Sequence, residues 1–161
     1  MTVKEYNNSV KEYGDPVYRF ICRSIKDRER AADIVQDTYE KLWNCVTEVD
    51  VNAVKSWLFT SAYNRMIDVI RKDSRLVAVE FYDDASLYAE DNSTDLNEVL
   101  HHALDRLPAV QRSVILLRDY EGYSYQEIGE ITGLTESQVK TYIFRGRTAL
   151  RAYLVKTSVW Q

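Results

Sequence analysis

The sequence predicts an all-α protein made of two small helical domains joined by an acidic flexible linker. Glycine and proline are scarce, at 5 and 2 of 161 residues, so a hairpin-rich β protein has few residues to form its tight turns. Apolar residues recur at helical spacing on both sides of residue 80. Between these parts, segment 80–93 collects acidic and small polar residues without a helical period. We therefore expect domains at 1–76 and 94–161, and a linker at 77–93.

Composition also limits the possible functions. Two separated cysteines and one adjacent histidine pair do not form the ligand spacing of a zinc site or a disulfide framework. No apolar run approaches the ~20 residues of a membrane span, and the N-terminus lacks the features of a signal peptide. We therefore expect a cytoplasmic protein with no membrane insertion. No nucleophile–base pair or phosphate-binding loop is evident, so we expect neither an enzyme nor a cofactor.

The charge distribution says more than the net charge of -4. Residues 79–109 carry one arginine against eight acids, whereas residues 136–156 carry five basic side chains against one glutamate. The acidic middle therefore masks a basic C-terminal segment, and phosphates respond to such a local stripe within a Debye length of ~8 Å. A solvated helix face is the alternative interpretation of the same stripe.

In the N-terminal part, residues 28–44 are predicted to form an amphipathic helix. Ala31, Val35, Tyr39 and Leu42 share one side, and Ile34 and Trp43 widen this apolar stripe. The polar side carries acidic and amide groups, namely Asp33, Gln36, Asp37 and Glu40.

A second helix is predicted from about residue 53 to 72, with a broad apolar band and a basic end at Arg71 and Lys72. Asn64 and Arg65 lie in its middle, next to Tyr63. An aromatic face, an amide and cations are what a protein needs to stack on bases, read their edges and neutralise phosphates of a single strand. The alternative is a three- or four-helix bundle whose aromatic residues are simply core.

The C-terminal part has the pattern of a helix-turn-helix domain. A helix over 94–107 is predicted to end at Pro108, and the next helix ends near Gly122. Two capping boxes follow, one starting a short helix at Ser124 and one starting a long basic helix at Thr135, with Gly133 between them.

The long last helix has two distinct faces. Val139, Ile143, Gly146, Leu150 and Tyr153 form its apolar side. The opposite side carries polar and basic residues and one phenylalanine, namely Ser137, Lys140, Thr141, Phe144, Arg145, Thr148 and Arg151. A recognition helix uses such groups in the major groove, where arginine reads guanine and an aromatic group packs on the thymine methyl.

Together, both parts resemble the extracytoplasmic-function (group IV) sigma factors of bacterial RNA polymerase, members of the sigma-70 family. The segment ADIVQDTYEKLW at 32–43 is similar to the family's polymerase-binding motif, and WLFTSAYNRMIDVIRK at 57–72 to its helix for the -10 element. Residues 107–154 are similar to region four, which reads the -35 element. Tyr142 stands where the family often has arginine, and Gly146, where alanine is usual, is expected to weaken the helix by up to ~1 kcal/mol.

The resemblance implies a dissociable specificity subunit that directs core RNA polymerase to promoter DNA and is held inactive by an anti-sigma factor. It assigns core binding to Asp33, Gln36, Asp37 and Glu40. It assigns the -10 element to Asn64, Arg65, Arg71 and Lys72, and the -35 element to Ser137, Lys140, Thr141, Phe144, Arg145 and Arg151. The alternative, a stand-alone helix-turn-helix transcriptional regulator, explains 94–161 but leaves the N-terminal part without a role.

Overall fold

The computed structural model describes residues 1–77, here called the N-terminal half, and 96–156, the C-terminal half. All regular structure within these two ranges is helical, which confirms the predicted fold class. The N-terminal half contains α1 (Val3–Ile25), α2 (Arg28–Asn44), a 3₁₀ turn (Val51–Ala53) and α3 (Val54–Val77). The C-terminal half contains α4 (Leu96–Asp105), α5 (Ala109–Ile115), a π-helical turn (Leu116–Tyr120), α6 (Tyr125–Thr132) and α7 (Glu136–Lys156). The predicted linker, apart from Val77, lies outside the described residues.

Helix α1 is an element that the sequence analysis did not predict. A capping box begins it, because the Thr2 hydroxyl accepts a hydrogen bond from the Glu5 N–H and the Glu5 carboxylate accepts one from the Thr2 N–H. The helix continues through Pro16 and ends at Lys26, which adopts the left-handed conformation with φ 53°. Its buried side includes Val17 and Phe20, which pack against α2 and α3 in a three-helix core.

The predicted bounds of α2 are confirmed, and Asp27 caps the helix by accepting a hydrogen bond from the Arg30 N–H. Trp43, however, does not belong to the buried stripe. It is 47% exposed and lies against the edge of the Tyr6 ring at 5.1 Å. Helix α3 extends five residues beyond its predicted end at Lys72.

The helix-turn-helix is formed as the capping signals predicted. Ser124 and Glu127 form the capping box of α6, and Gly133 ends that helix with φ 77°. Thr135 and Gln138 then form the capping box of α7 through two reciprocal hydrogen bonds of 3.1 and 2.9 Å. Both helix starts are thereby defined by side chains, and α7 is positioned across α5 and α6.

Candidate polymerase-binding and DNA-binding surfaces

An exposed acidic and amide surface runs along α2, and we call it the acidic face. Its members lie at helical spacing on the side opposite the core, namely Asp33, Gln36, Asp37 and Glu40. The buried side of α2 includes Ala31, Ile34 and Leu42, and the Thr38 hydroxyl is satisfied by donating to the Ile34 carbonyl at 2.7 Å. Because the acidic side chains take no part in the core, they are available to a partner.

A groove between α2 and α3 connects the acidic face to the predicted -10 residues. Asp33 and Asp37 lie on its α2 side, and Arg65 and Lys72 on its α3 side. The Arg65 Nε lies 3.8 Å from the Asp37 Oδ2, and both side chains are about half exposed. Such a pair contributes little to stability. The pair matters because of its position: it brings Asp37, which the resemblance assigns to core binding, next to Arg65, which the resemblance assigns to the -10 element.

The predicted -10 residues all lie exposed on α3, as Asn64, Arg65, Arg71 and Lys72. Asn64 and Arg71 are seven residues apart, so they share one side of the helix at a separation of ~10 Å along its axis. Tyr63 is 5% exposed and belongs to the core, as the helix-bundle alternative expected of the aromatic residues. Burial raises the pKa of its phenol. A ring in that position does not offer a stacking face to a base.

The predicted -35 residues form one exposed surface on α7. Its members are Ser137, Lys140, Thr141, Phe144, Arg145 and Arg151, and Phe144 is 73% exposed. The Lys140 Nζ lies 3.6 Å from the Glu136 Oε1 and 5.6 Å from the centre of the Tyr125 ring. Val139 and Ile143 are buried on the other side. The two faces that the spacing predicted are therefore both present.

Two contacts position α7 on the helix before the helix-turn-helix, and the sequence analysis predicted neither. Arg147 donates two hydrogen bonds to the Asp119 carboxylate, from Nε at 3.2 Å and from Nη2 at 2.5 Å. One residue earlier, the backbone of Gly146 lies directly against the side chain of Ile115. Gly146 was expected only to weaken the helix, but it is buried where α7 packs against Ile115 of α5.

The two halves also contact each other through ion pairs between α1 and the C-terminal half. Arg19 donates two hydrogen bonds to the Glu121 carboxylate, at 3.0 and 2.8 Å. Lys26 forms an ion pair with Asp105 near the end of α4. Two cations seven residues apart, one on α1 and one at its C-terminal cap, thus face an acid at the end of α4 and an acid just after the π-helical turn. The sequence analysis left the relation between the halves open.

Aromatic side chains of the C-terminal half complete this contact. The Arg23 guanidinium lies 4.7 Å from the centre of the Tyr120 ring, and the Lys55 Nζ lies 4.7 Å from that of Tyr123. Phe59 and Tyr123 pack edge to face at 5.2 Å. Both tyrosines and Glu121 lie at the π-helical turn or within three residues after it, and α3 in addition packs against α6.

The fold thus defines a two-part helical protein with a helix-turn-helix, and comparison with known proteins identifies its family. The model for sigma-70 region 2 matches residues 9–76, and the model for sigma-70 region 4 matches residues 97–150. The chain is similar to the ECF RNA polymerase sigma factor SigE of Mycolicibacterium smegmatis, with 32% identity over 95% of this chain and 63% of that relative. It is also similar to the RNA polymerase sigma factor SigV of Bacillus subtilis, with 31% identity over 91% of this chain and 89% of the relative.

Solved structures agree with these relatives. The sigma factor RpoE in complex with the anti-sigma factor NepR from Bartonella quintana matches with a TM-score of 0.76 and 26% identity over 94% of this chain and 98% of that one. CnrH in complex with the cytosolic domain of CnrY matches with a TM-score of 0.70 and 26% identity, over 94% of this chain and 88% of that one. The chain therefore belongs to the sigma-70 family and is an RNA polymerase sigma factor of the extracytoplasmic-function type. In the part of the chain that the structure describes, no helix is long and apolar enough to cross a membrane.

Proposed function

We propose that the chain binds core RNA polymerase and directs it to promoters from the cytoplasm, without catalysing a reaction itself. In this proposal, residues 1–76 bind core and the -10 element, 77–93 connect the domains, and 94–161 bind the -35 element. The acidic face supports this proposal most strongly, because it lies on α2 in the N-terminal half, whereas the predicted recognition helix α7 belongs to the C-terminal half. A stand-alone helix-turn-helix regulator has no use for such a face next to a basic helix.

Core polymerase is the proposed partner of the acidic face. Acidic and amide groups are complementary to a basic protein surface, and exposed side chains need no rearrangement to engage it. The groove suggests why this contact and DNA binding belong together. A polymerase group that pairs with Asp37 competes with Arg65 for the same carboxylate, and the released guanidinium is then available to a DNA phosphate.

The two DNA surfaces are proposed to read their elements in different ways. In this proposal Asn64 on α3 contacts an extruded base, whereas Arg71 and Lys72 supply charge to the backbone of the strand. Base edges in the major groove are contacted by Lys140, Thr141, Phe144 and Arg145 of α7. Ser137 lies at the helix start, where free N–H groups favour a phosphate. Arg151 lies further along and contributes charge.

Simultaneous reading of both elements requires the halves to separate. The elements are centred about 25 base pairs apart, which at 3.4 Å per pair is about 85 Å of DNA. A compact 161-residue chain has a radius of gyration of about 15 Å and is about 40 Å across. The contacts between α1 and the C-terminal half therefore belong to the free protein. The similar structure of RpoE is a complex with the anti-sigma factor NepR, and that of CnrH is a complex with the cytosolic domain of CnrY. We therefore propose an anti-sigma factor as the negative regulator of this chain.

Retention of purified core polymerase by the purified chain tests the proposal. We expect a complex with core on size-exclusion chromatography, and a gain of promoter-dependent transcription that core alone does not show. Asp37→Lys should abolish this retention. Glu12, an exposed acid on α1, offers the matched control, because Glu12→Lys makes the same charge change outside the acidic face and should keep it. Binding of DNA without any retention of core would favour the stand-alone regulator instead.

A further inference from the structure

His101 lies in the contact between the two halves, surrounded by charged groups. It is half-buried on α4, and its ring centre lies 6.5 Å from that of Tyr120 in the π-helical turn. From α1, Arg23 covers Tyr120 and Lys26 pairs with Asp105. The groups near the imidazole are Arg23 of α1, Lys26 at the C-terminal cap of α1, Asp105 and His102 of its own helix, and Tyr120 of the turn.

This environment favours a neutral imidazole. Burial is the main cause of a lowered pKa at His101, and the positive charges of Lys26 and Arg23 lower it further. Asp105 acts in the opposite direction, but its carboxylate already pairs with Lys26. A proton on His101 would therefore add a third positive charge near Arg23 and Lys26, of which Lys26 already pairs with Asp105.

We propose that protonation of His101 weakens the contact between the halves, so that the free chain opens as the pH falls. The direction follows from linkage. Above the ordinary histidine pKa of ~6.5, the imidazole is neutral in both forms and the proton has no effect. Below that value the open form takes up the proton first, so the ratio of open to closed chain rises. It rises by at most tenfold for each unit by which the two pKa values differ, and it levels off once closed chains are protonated too.

The chain offers an unusually direct test, because His101 and His102 are its only histidines. Small-angle scattering from about pH 7.5 to pH 5.5 at low salt measures the opening, and circular dichroism over the same range checks that the helices persist. For the wild type we expect a radius of gyration near 15 Å at the upper pH and an increase towards the lower pH. His102→Gln is the matched control and should keep this response. His101→Gln should lose it, and His101→Arg, which is always charged, should be expanded at every pH.

Nuclear magnetic resonance supplies the second measurement. In His102→Gln the single remaining imidazole signal gives the pKa of His101 directly. Glu121→Arg, combined with His102→Gln, places like charges at Arg19 and provides an opened reference, verified by scattering. The pKa of His101 should be lower in His102→Gln than in this opened reference. The difference between these two pKa values should account for the fold-change in the ratio of open to closed chain. The proposal is overturned if His101→Gln responds like the wild type, if the wild type does not expand, if it is already expanded at neutral pH, or if the two pKa values agree. Since no polymerase is present, these results leave the proposed promoter function untouched.

Discussion

Gly146→Ala tests how α7 is held against α5. An alanine Cβ would overlap the Ile115 Cδ1 and would lie 3.3 Å from its Cγ1 and 3.7 Å from the Leu107 Cδ1. Helix propensity alone favours alanine by about 1 kcal/mol. Ile115 is only 2% exposed, so its side chain has little room to move away. Overpacking of this kind costs typically 1–3 kcal/mol, which leaves a net destabilisation of about 0–2 kcal/mol.

The same substitution in an Ile115→Val background shows whether the overlap with Ile115 causes this destabilisation. Ile115→Val removes the overlapping methyl group, so Gly146→Ala should there stabilise the protein by up to about 1 kcal/mol through propensity. Urea unfolding followed by circular dichroism measures both differences. Ala149→Gly, at an exposed position of the same helix, calibrates the propensity and should cost about 1 kcal/mol in either background. If Gly146→Ala stabilises both backgrounds equally, the close approach at Ile115 does not constrain the helix and our reasoning is wrong.

Three further predictions concern the binding surfaces. Arg145→Ala should reduce the preference for the correct base pair at one -35 position by about 1–3 kcal/mol. Arg151→Ala should lower the affinity for matched and scrambled DNA alike and reduce the slope of log affinity against log salt concentration by about one. Equal losses of affinity for both DNAs in Arg145→Ala would contradict base reading. Asp37→Lys should abolish retention of core in size-exclusion chromatography while stability changes by no more than ~0.5 kcal/mol, and unchanged affinity for core would disprove the assignment. Asn64→Ala should impair open-complex formation more than initial binding, and wild-type permanganate reactivity of the -10 region would refute this.

Local signals in the sequence predicted the helix-turn-helix well, because its boundaries depend on neighbouring residues. The capping boxes at Ser124 and Thr135 and the left-handed Gly133 are each decided within a few positions of the chain. Amphipathic spacing likewise gave the bounds of α2 and the exposed surface around Phe144. These features need little information from distant residues.

Features that depend on distant residues were missed. Helix α1 contains Gly14 and Pro16, which interrupt its helical pattern, and the packing of its buried side on α2 and α3 compensates for them. Gly146 looked like a weak point because the sequence does not reveal Ile115 across the helix crossing. Trp43 was expected in the buried stripe of α2 but is 47% exposed for the same reason, since the neighbouring helices decide how far an apolar stripe is covered.

The contact between the halves is of a kind that binding can reverse. It combines the packing of α3 on α6 and the edge-to-face pair of Phe59 and Tyr123 with ion pairs from Arg19 and Lys26 to acids of the C-terminal half. The Arg19 and Lys26 side chains are 45% and 37% exposed, whereas their partners Glu121 and Asp105 are only 4% and 19% exposed, so salt screens these half-buried ion pairs less than surface pairs. A ligand that shifts a two-state equilibrium from 1:99 to 99:1 needs a preference of about 5.5 kcal/mol. Core polymerase and two DNA elements together can supply such a preference, so opening requires neither half to unfold.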